Sequence, residues 1–275
     1  MPAPTDKPPV PKPSASIIIV RDGPLRSGGR RLEVLMTERH GAMRVAGGAY
    51  VFPGGKVEPE DRSAAVKRRF PGLSDSEYRV SAIREAFEEA GVLLARPAAG
   101  KRYQGRPPLS RAIQAAIIEE HRRQGHHPDF LDHLAKLNLV PAAEALVPFA
   151  RWITPVIRRW RFDARFYLAA MPKAQAVVHD GGEAVSAFWA RPEEMVEKYG
   201  NDITLLMFPT RISLRLLSKA ATVSDALALA RRRPVVPITP TLEERPDGIW
   251  AHVPAEADLG GTVLPFSLKK IPQEA

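Results

Sequence analysis

The sequence REAFEEAGV at positions 84–92 constrains the fold of this chain more than any other segment. At about 100° per residue, Glu85, Glu88 and Glu89 fall on one face of a helix. Apolar side chains fall on the opposite face, namely Val80, Ile83, Phe87 and Ala90. The pattern predicts a helix over residues 76–90 that buries its apolar side and ends at Gly91, a common C-terminal cap.

Three carboxylates on one helical face repel each other, so the face is either solvated or occupied by a divalent cation. Oxygen ligands of this kind suit Mg²⁺ or Mn²⁺. The alternative is an ordinary exposed acidic face with Arg84 as its partner. Upstream lies Phe52-Pro53-Gly54-Gly55, in which two glycines allow the backbone to approach a ligand or metal closely. The glycine-containing segment near the helix favours the hypothesis of a bound divalent metal.

These residues resemble the signature of the Nudix hydrolases, GX5EX7REUXEEXGU, where U is apolar. Gly55 matches the first glycine, and residues 84–92 match the second half at every specified position. Asp61 stands where the pattern has Glu. Residues 62–83 number 22 where the pattern has 7, so 15 are inserted. Such an insertion need not disturb the carboxylates, because the cost of loop closure grows slowly with length.

The resemblance implies hydrolysis of a nucleoside diphosphate linked to another group, with Mg²⁺ or Mn²⁺ as cofactor. It implies that Glu88 and Glu89 are the principal metal ligands, and that Glu85 is a further ligand or the group that activates water. Arg84 would orient a helix carboxylate, and the Gly55 carbonyl would be a metal ligand. Many members supply another acidic residue from a later loop. Glu183, just before a strand, fits that role, and the alternative is a plain loop carboxylate.

A second resemblance concerns the coenzyme A-directed branch of this family, which carries LLTXR followed by RX3GX3FPGG. Residues 35–39, LMTER, resemble the first part, and Arg44, Gly48 and 52–55 fit the second. The spacer between Arg39 and Arg44 is one residue shorter than usual. Both arginines could bind phosphates, and Gly54 and Gly55 would leave room for the substrate. The alternative is a β-hairpin with solvated arginines.

Residues 16–217 resemble the Nudix group that includes the peroxisomal mammalian coenzyme A diphosphatase. That group converts CoA and acyl-CoA to 3′,5′-ADP and 4′-phosphopantetheine or its acyl form. Alternative substrates are ADP-ribose, NAD(H) and dinucleoside polyphosphates. A different alternative is a non-catalytic Nudix module that binds a ligand or RNA. Retention of all three helix carboxylates favours an enzyme.

The order of elements predicts a mixed α+β protein or an α/β/α sandwich. The resemblance implies the second form, an α/β/α Nudix sandwich with a mixed sheet in the α+β class. Residues 1–13 are predicted to be a disordered Pro-rich lead-in, and residues 14–220 the Nudix domain. A helical insertion is predicted at about 104–146, after the Nudix helix. Residues 221–275 are predicted to be a C-terminal helix and irregular or β extension packed on the same domain. Finer expectations include a strand at 176–180 and Ser224 as a helix N-cap.

The amino-acid composition limits the kinds of metal site and ligand that the protein can have. The chain has no cysteine, which excludes disulfides, thiolate metal sites and a cysteine nucleophile. The net charge of +9 favours anionic partners, above all a phosphorylated, nucleotide-containing small molecule such as CoA. No apolar run is long enough to cross a bilayer, no secretory signal is visible, and the ending Ile-Pro-Gln-Glu-Ala is not a peroxisomal signal. We therefore expect a cytoplasmic protein that has no membrane partner and does not bind nucleic acid. A homodimer is a further expectation.

Overall fold

A computed structural model describes residues 8–24, 29–43, 46–99, 130–173, 175–178 and 184–267. The strands of its main sheet are β1 Lys12–Pro24, β2 Arg30–Arg39, β3 Tyr50–Val51, β4 Gly54–Lys56, β7 Val147–Ile153, β8 Phe162–Ala170, β9 Ala184–Ala190 and β10 Pro237–Ile238. Their order in the sheet is β10-β7-β8-β1-β2-β3, with β4 paired to β1 and β9 paired to β2. The pairs β1–β8 and β7–β10 are parallel and the other pairs are antiparallel, so the sheet is mixed.

Two smaller sheets and a set of helices complete the described chain. The small sheets are β5 Ala95–Pro97 with β6 Leu139–Pro141, and β11 Thr241–Arg245 with β12 Gly248–His252 and β13 Val263–Ser267. The α-helices are α1 Ala64–Arg69, α2 Ser76–Ala90, α3 Phe130–Lys136, α4 Pro192–Tyr199, α5 Phe208–Leu217 and α6 Val223–Arg232. Short 3-10 helices cover Glu60–Arg62, Ala143–Ala145 and Ala255–Ala257.

The first strand buries both of its faces, which explains its unbroken apolar run. Successive side chains of a strand point to opposite faces. Ile17 and Ile19 accordingly join an apolar cluster with α2, through residues that include Ile83 and Phe87. Residues of even number, such as Ile18, join a second cluster with α4, α5, α6 and the C-terminal strands. Helices therefore cover both faces of the mixed sheet, and the predicted α+β sandwich is confirmed.

Helix α2 forms over the predicted residues and ends as predicted at Gly91, whose φ of 65° is the left-handed conformation that glycine adopts readily. Side-chain hydrogen bonds stabilise the N-terminal end of this helix. The Arg79 side chain donates to Asp75 Oδ1 at 2.7 Å and to the carbonyl of Ala143 at 3.1 Å. The Tyr167 hydroxyl donates to the other Asp75 oxygen at 2.8 Å, which ties the helix to β8.

The 15 inserted residues of the signature contribute to helix α1 and its neighbourhood. Val66, Phe70 and Leu73 pack against Val80 of α2 and Ala143. The insertion therefore has a small apolar cluster of its own. The helical insertion predicted at about 104–146 is described only in part. Residues 104–129 lie outside the described residues, and residues 130–146 form α3, β6 and a 3-10 helix.

Three local expectations differ from the structure. Strand β1 begins at Lys12, inside the predicted lead-in, because Lys12 N donates to the carbonyl of Arg161 at 2.8 Å. Helix α6 is capped by Thr222 in a capping box with Asp225, so Ser224 is not the N-cap. Residues 176–178 form no strand, although the sequence predicts one over 176–180, and residues 179 and 180 lie outside the described residues.

The C-terminal extension contributes Ala226, Ala251, Leu264 and other residues to the apolar cluster on the second face of the sheet. The division into residues 14–220 and 221–275 stays a prediction. Within the described ranges, no helix is long and apolar enough to cross a membrane.

Candidate active site

The glycine turn lies directly beneath helix α2. Gly54 and Gly55 of β4 pair with Ser16 and Ala15 of β1. A Cβ atom on Gly54 would lie 2.5 Å from the Ala15 carbonyl oxygen, and one on Gly55 would lie 2.6 Å from Glu85 Cδ. Neither position has room for a side chain. The backbone at Gly55 is therefore in direct reach of the first helix carboxylate.

Arg84 is the centre of the site, and its side chain is 4% exposed. The guanidinium donates to both carboxylate oxygens of Asp61, at 3.2 and 2.9 Å. It donates to the Lys56 carbonyl at 3.0 Å. Its Nη1 atom is 2.7 Å from Glu88 Oε2 and 2.9 Å from Glu85 Oε1. One guanidinium thus joins the glycine turn, the 3-10 helix and the acidic face of α2.

The charges around Arg84 explain how it is tolerated in the interior. Burial lowers the pKa of Arg84, but the carboxylates of Glu85, Asp61 and Glu88 outweigh burial and raise this pKa above its ordinary value. The side chain is therefore a permanent cation. Its fixed charge and forked geometry suit it to hold several carboxylates at once.

Asp61 takes the place of the glutamate in the signature without loss of the supporting contact. It is 1% exposed. The Glu58 N–H donates to Asp61 Oδ2 at 3.0 Å, which orients the carboxylate toward Arg84. The side chain is one methylene shorter than glutamate, and it reaches Arg84 from the short 3-10 helix Glu60–Arg62.

The acidic face of α2 is not an open solvent surface. Glu85 and Glu89 are buried, and Glu88 is half-buried. The alternative of an ordinary exposed acidic face is therefore wrong, because β4 and the 3-10 helix cover this side. Three carboxylates, those of Asp61, Glu85 and Glu88, contact the single guanidinium of Arg84.

These residues fit a divalent cation by their chemistry. Carboxylate oxygens such as those of Glu85, Glu88 and Glu89 are ligands that Mg²⁺ and Mn²⁺ prefer, and their negative charge near the Gly55 turn favours a cation. In the conformation described here, Arg84 occupies oxygens of Glu85 and Glu88. Among the described residues, no group of three or more His, Asp or Glu is arranged to hold a metal ion.

The predicted substrate arginines and the later acidic residue are described only in part. Arg39 lies at the end of β2 and shares a sheet face with Leu35, which packs in the cluster beneath α2. Its Nη2 atom donates to Met43 Sδ at 3.1 Å. Arg44 and Glu183 lie outside the described residues. Ala184, which follows Glu183 in sequence, pairs with Arg39 in the sheet.

Sequence reasoning missed the contribution of Ser81 and of the Lys56 carbonyl. The Ser81 hydroxyl donates to this carbonyl at 3.1 Å, and Arg84 donates to the same oxygen. The two bonds fix the chain just after the glycine turn onto helix α2. The available signal was a small hydroxyl residue three positions before Arg84, on the same side of the helix.

Comparison with known proteins places this geometry in a family. The family model described as the NUDT19 Nudix domain matches residues 67–215, more than half of the chain. The chain belongs to the Nudix hydrolase family. It is therefore related to enzymes, and members of this family generally use divalent metal ions.

Two curated Nudix relatives carry the name acyl-coenzyme A diphosphatase NUDT19. The chicken protein (Gallus gallus) is 28% identical over 261 residues, which cover 77% of this chain and 69% of the relative. The human protein is 30% identical over 223 residues, which cover 65% of this chain and 58% of the relative. The chain thus spans well under the full length of either relative.

A solved Nudix structure supports the fold. The Nudix hydrolase from Alicyclobacillus acidocaldarius is 27% identical in sequence to this chain. The match covers 82% of this chain and 97% of the Alicyclobacillus chain, with a TM-score of 0.63. The sequence-based assignment to the Nudix hydrolases, and to relatives of the mammalian coenzyme A diphosphatase, is confirmed.

Proposed function

We propose that this protein is a metal-dependent diphosphatase that hydrolyses CoA or acyl-CoA to 3′,5′-ADP and 4′-phosphopantetheine or its acyl form. The observation that carries the proposal is the buried arginine of α2, which holds Asp61, Glu85 and Glu88 beside Gly55. The names of the chicken and human relatives support the choice of substrate.

In the proposed reaction, water attacks one phosphorus of the diphosphate. A P–O bond to water forms, the P–O bond to the bridging oxygen breaks, and the bridging oxygen leaves with the other phosphate. A divalent cation held by Glu85, Glu88, Glu89 and the Gly55 carbonyl would neutralise the phosphates and lower the pKa of the attacking water. Mg²⁺ and Mn²⁺ are the cations that these oxygens suit.

The residues of the chain have separate tasks in this proposal. Arg84 holds the carboxylates of α2 in place through its contacts with Asp61 and Glu88. Glu85 is a further ligand or accepts the proton of the attacking water. Glu183, outside the described residues, is proposed as an additional acidic ligand.

Arg39 and Arg44 are proposed to bind the phosphates of the substrate, with Gly54 and Gly55 leaving room for it. Arg39 is on the sheet face that carries α2, which supports its part in this role. If Arg44 contacts the 3′-phosphate, Arg44→Ala should raise KM for CoA more than for dephospho-CoA. Equal increases for the two substrates would remove that role from Arg44.

The test is product analysis with Mg²⁺ or Mn²⁺ over CoA, an acyl-CoA, ADP-ribose, NADH and a dinucleoside polyphosphate. Glu88→Gln is compared with Glu77→Gln, which removes a carboxylate from the first turn of the same helix. We expect 3′,5′-ADP to form from CoA or acyl-CoA faster than any other product, and Glu88→Gln alone to lower turnover, by about 100-fold or more.

The other outcomes separate the alternatives. Faster hydrolysis of another diphosphate would keep the Nudix chemistry and reject the CoA assignment. No turnover of any substrate, together with salt-sensitive RNA binding, would favour a non-catalytic module. The cytoplasmic location and the homodimer stay predictions.

A further inference from the structure

The loop between β7 and β8 carries three of the six large apolar side chains that are exposed in the described part of the chain. Val156 is 57% exposed, Ile157 is 72% exposed and Trp160 is 38% exposed. Val10, at 84%, lies next to Pro9, whose carbonyl accepts from Arg161 of the same loop at 2.7 Å. Isolated exposed apolar residues are normal on a protein surface, but a group at one loop tip is a sign of a binding surface.

The same loop is strongly basic. Residues 154–161, TPVIRRWR, contain three arginines and no acidic residue. Lys12 adds a fourth cation, with its Nζ atom 5.8 Å from the centre of the Trp160 ring, and the Arg159 guanidinium lies 5.6 Å from this centre. The aspartate that follows the loop, Asp163, is already bound by Arg151 through two hydrogen bonds.

Hydrogen bonds between its two ends close the base of the loop. Thr154 N and the Phe162 carbonyl are joined by a hydrogen bond of 2.9 Å, and Phe162 N donates to Thr154 Oγ1 at 3.0 Å. Arg161 Nε donates to the Thr154 carbonyl at 3.0 Å. Val156 and Ile157 form the turn at the tip. Their exposure therefore belongs to a closed hairpin.

We propose that the loop of residues 154–161, with Lys12, docks the protein on an anionic lipid bilayer surface. The arginines and Lys12 complement the negative headgroups, while Val156 and Ile157 enter the interfacial region and Trp160 lies at headgroup level, where its amphipathic ring is favourable. The proposal departs from the expectation of no membrane partner, which rests on the lack of a segment long enough to span a bilayer.

The composition of the loop favours a bilayer over other anionic or apolar partners. Nucleic acid uses cations and aromatic stacking, which would leave the aliphatic tip of Val156 and Ile157 exposed. A symmetric contact with a second copy would bring two sets of like-charged arginines together. An anionic surface with an apolar interior satisfies the basic and the aliphatic side chains together.

The test is cosedimentation of the full chain with vesicles of phosphatidylcholine alone or mixed with phosphatidylglycerol. We expect binding to the mixed vesicles at about 0.1 M salt and its loss near 1 M, where the screening length falls to about 3 Å. Ile157→Ser should weaken this binding about tenfold. The double change Arg158→Ser with Arg159→Ser should weaken it about 30-fold, from roughly fivefold per arginine near an anionic surface.

The matched control is Lys67→Ser with Arg68→Ser, which removes the same charge from exposed positions on α1. It should bind the mixed vesicles within about twofold of the wild type, since screened distant charges contribute little. Equal thermal unfolding midpoints would show that all variants are folded. The proposal is overturned if the wild type does not bind the mixed vesicles, or if the loop variants bind them like the control. Because the assay measures binding without turnover, its result is independent of the proposed hydrolysis.

Discussion

Replacing Asp61 with Asn should destabilise the protein by about 3 kcal/mol and lower its turnover. Asn keeps the shape of the side chain and removes its charge. Asp61 is 1% exposed and Arg84, its partner, is 4% exposed at the side chain, so the change acts on a buried ion pair. Removal of one partner from such a pair costs about 3–5 kcal/mol, because the remaining charge stays in the interior.

The lower end of this range applies because Arg84 keeps other anionic partners. Glu88 Oε2 at 2.7 Å and Glu85 Oε1 at 2.9 Å remain after the change. The Asn oxygen can still accept one hydrogen bond from Arg84 or from Glu58 N, which donates to Asp61 at 3.0 Å in the native protein. Its amide group, however, faces a guanidinium with no acceptor to offer. The Arg84 side chain should then shift toward the α2 carboxylates.

Urea unfolding measures the stability change directly. With a slope of about 3 kcal/mol per molar urea, a loss of about 3 kcal/mol lowers the midpoint by about 1 M. The matched control is Glu60→Gln, the preceding exposed residue of the same 3-10 helix, which should change stability by less than about 0.5 kcal/mol. A midpoint for Asp61→Asn within about 0.2 M of the control, with unchanged turnover, would refute the role of the Asp61–Arg84 pair.

Three further changes test other parts of the structure. Gly55→Ala should lower turnover of the proposed substrate at least tenfold, because its methyl group displaces the carboxylate beside it, whereas Gly72→Ala has open space around its Cβ and should leave turnover unchanged. Thr222→Ala should cost about 1 kcal/mol in urea unfolding and Ser224→Ala less than about 0.5 kcal/mol, which distinguishes the observed helix cap from the expected one. Hydrogen bonds from Arg245 and then His252 lower the pKa of Glu243 to about 2, so its contribution to stability is present above pH 4.5 and is lost as the pH falls toward 2. Comparison of wild type and Glu243→Gln by urea unfolding across that range should show the difference shrinking as the pH falls, and a constant difference would contradict the assignment.

The sequence predicted helix α2 well because its signals are local. The 3.6-residue apolar period and the glycine cap both lie within the helix or next to it. The same period placed Glu85, Glu88 and Glu89 on one face. It could not predict that this face is buried, because the cover comes from β4 and the 3-10 helix, and their position depends on pairing with β1.

Errors occurred where local patterns allowed more than one outcome. Thr222, Ser224 and Asp225 could each cap a helix, and the structure has the capping box of Thr222 with Asp225. Asp22 accepts a hydrogen bond from Val223 N at 2.8 Å, which fixes the chain at the start of α6. The apolar sequence near 176–180 reads like a strand. In the structure, Val178 N donates instead to the Ala90 carbonyl at the end of α2, so this segment covers the helix.

The insertion inside the signature shows how the site survives a change in chain length. Asp61 and Arg84 are 23 positions apart, against 8 in the family pattern, which raises the loop-closure cost by about 0.9 kcal/mol. Val66 and Phe70 of the inserted segment are 4% and 7% exposed, and burial of such side chains contributes about 1.5–3 kcal/mol each. Their contacts with Val80 lie on α2 one turn before Arg84. The insertion therefore offsets its own cost and braces the helix that carries the carboxylates, which explains how the Asp61–Arg84 contact is kept despite the longer loop.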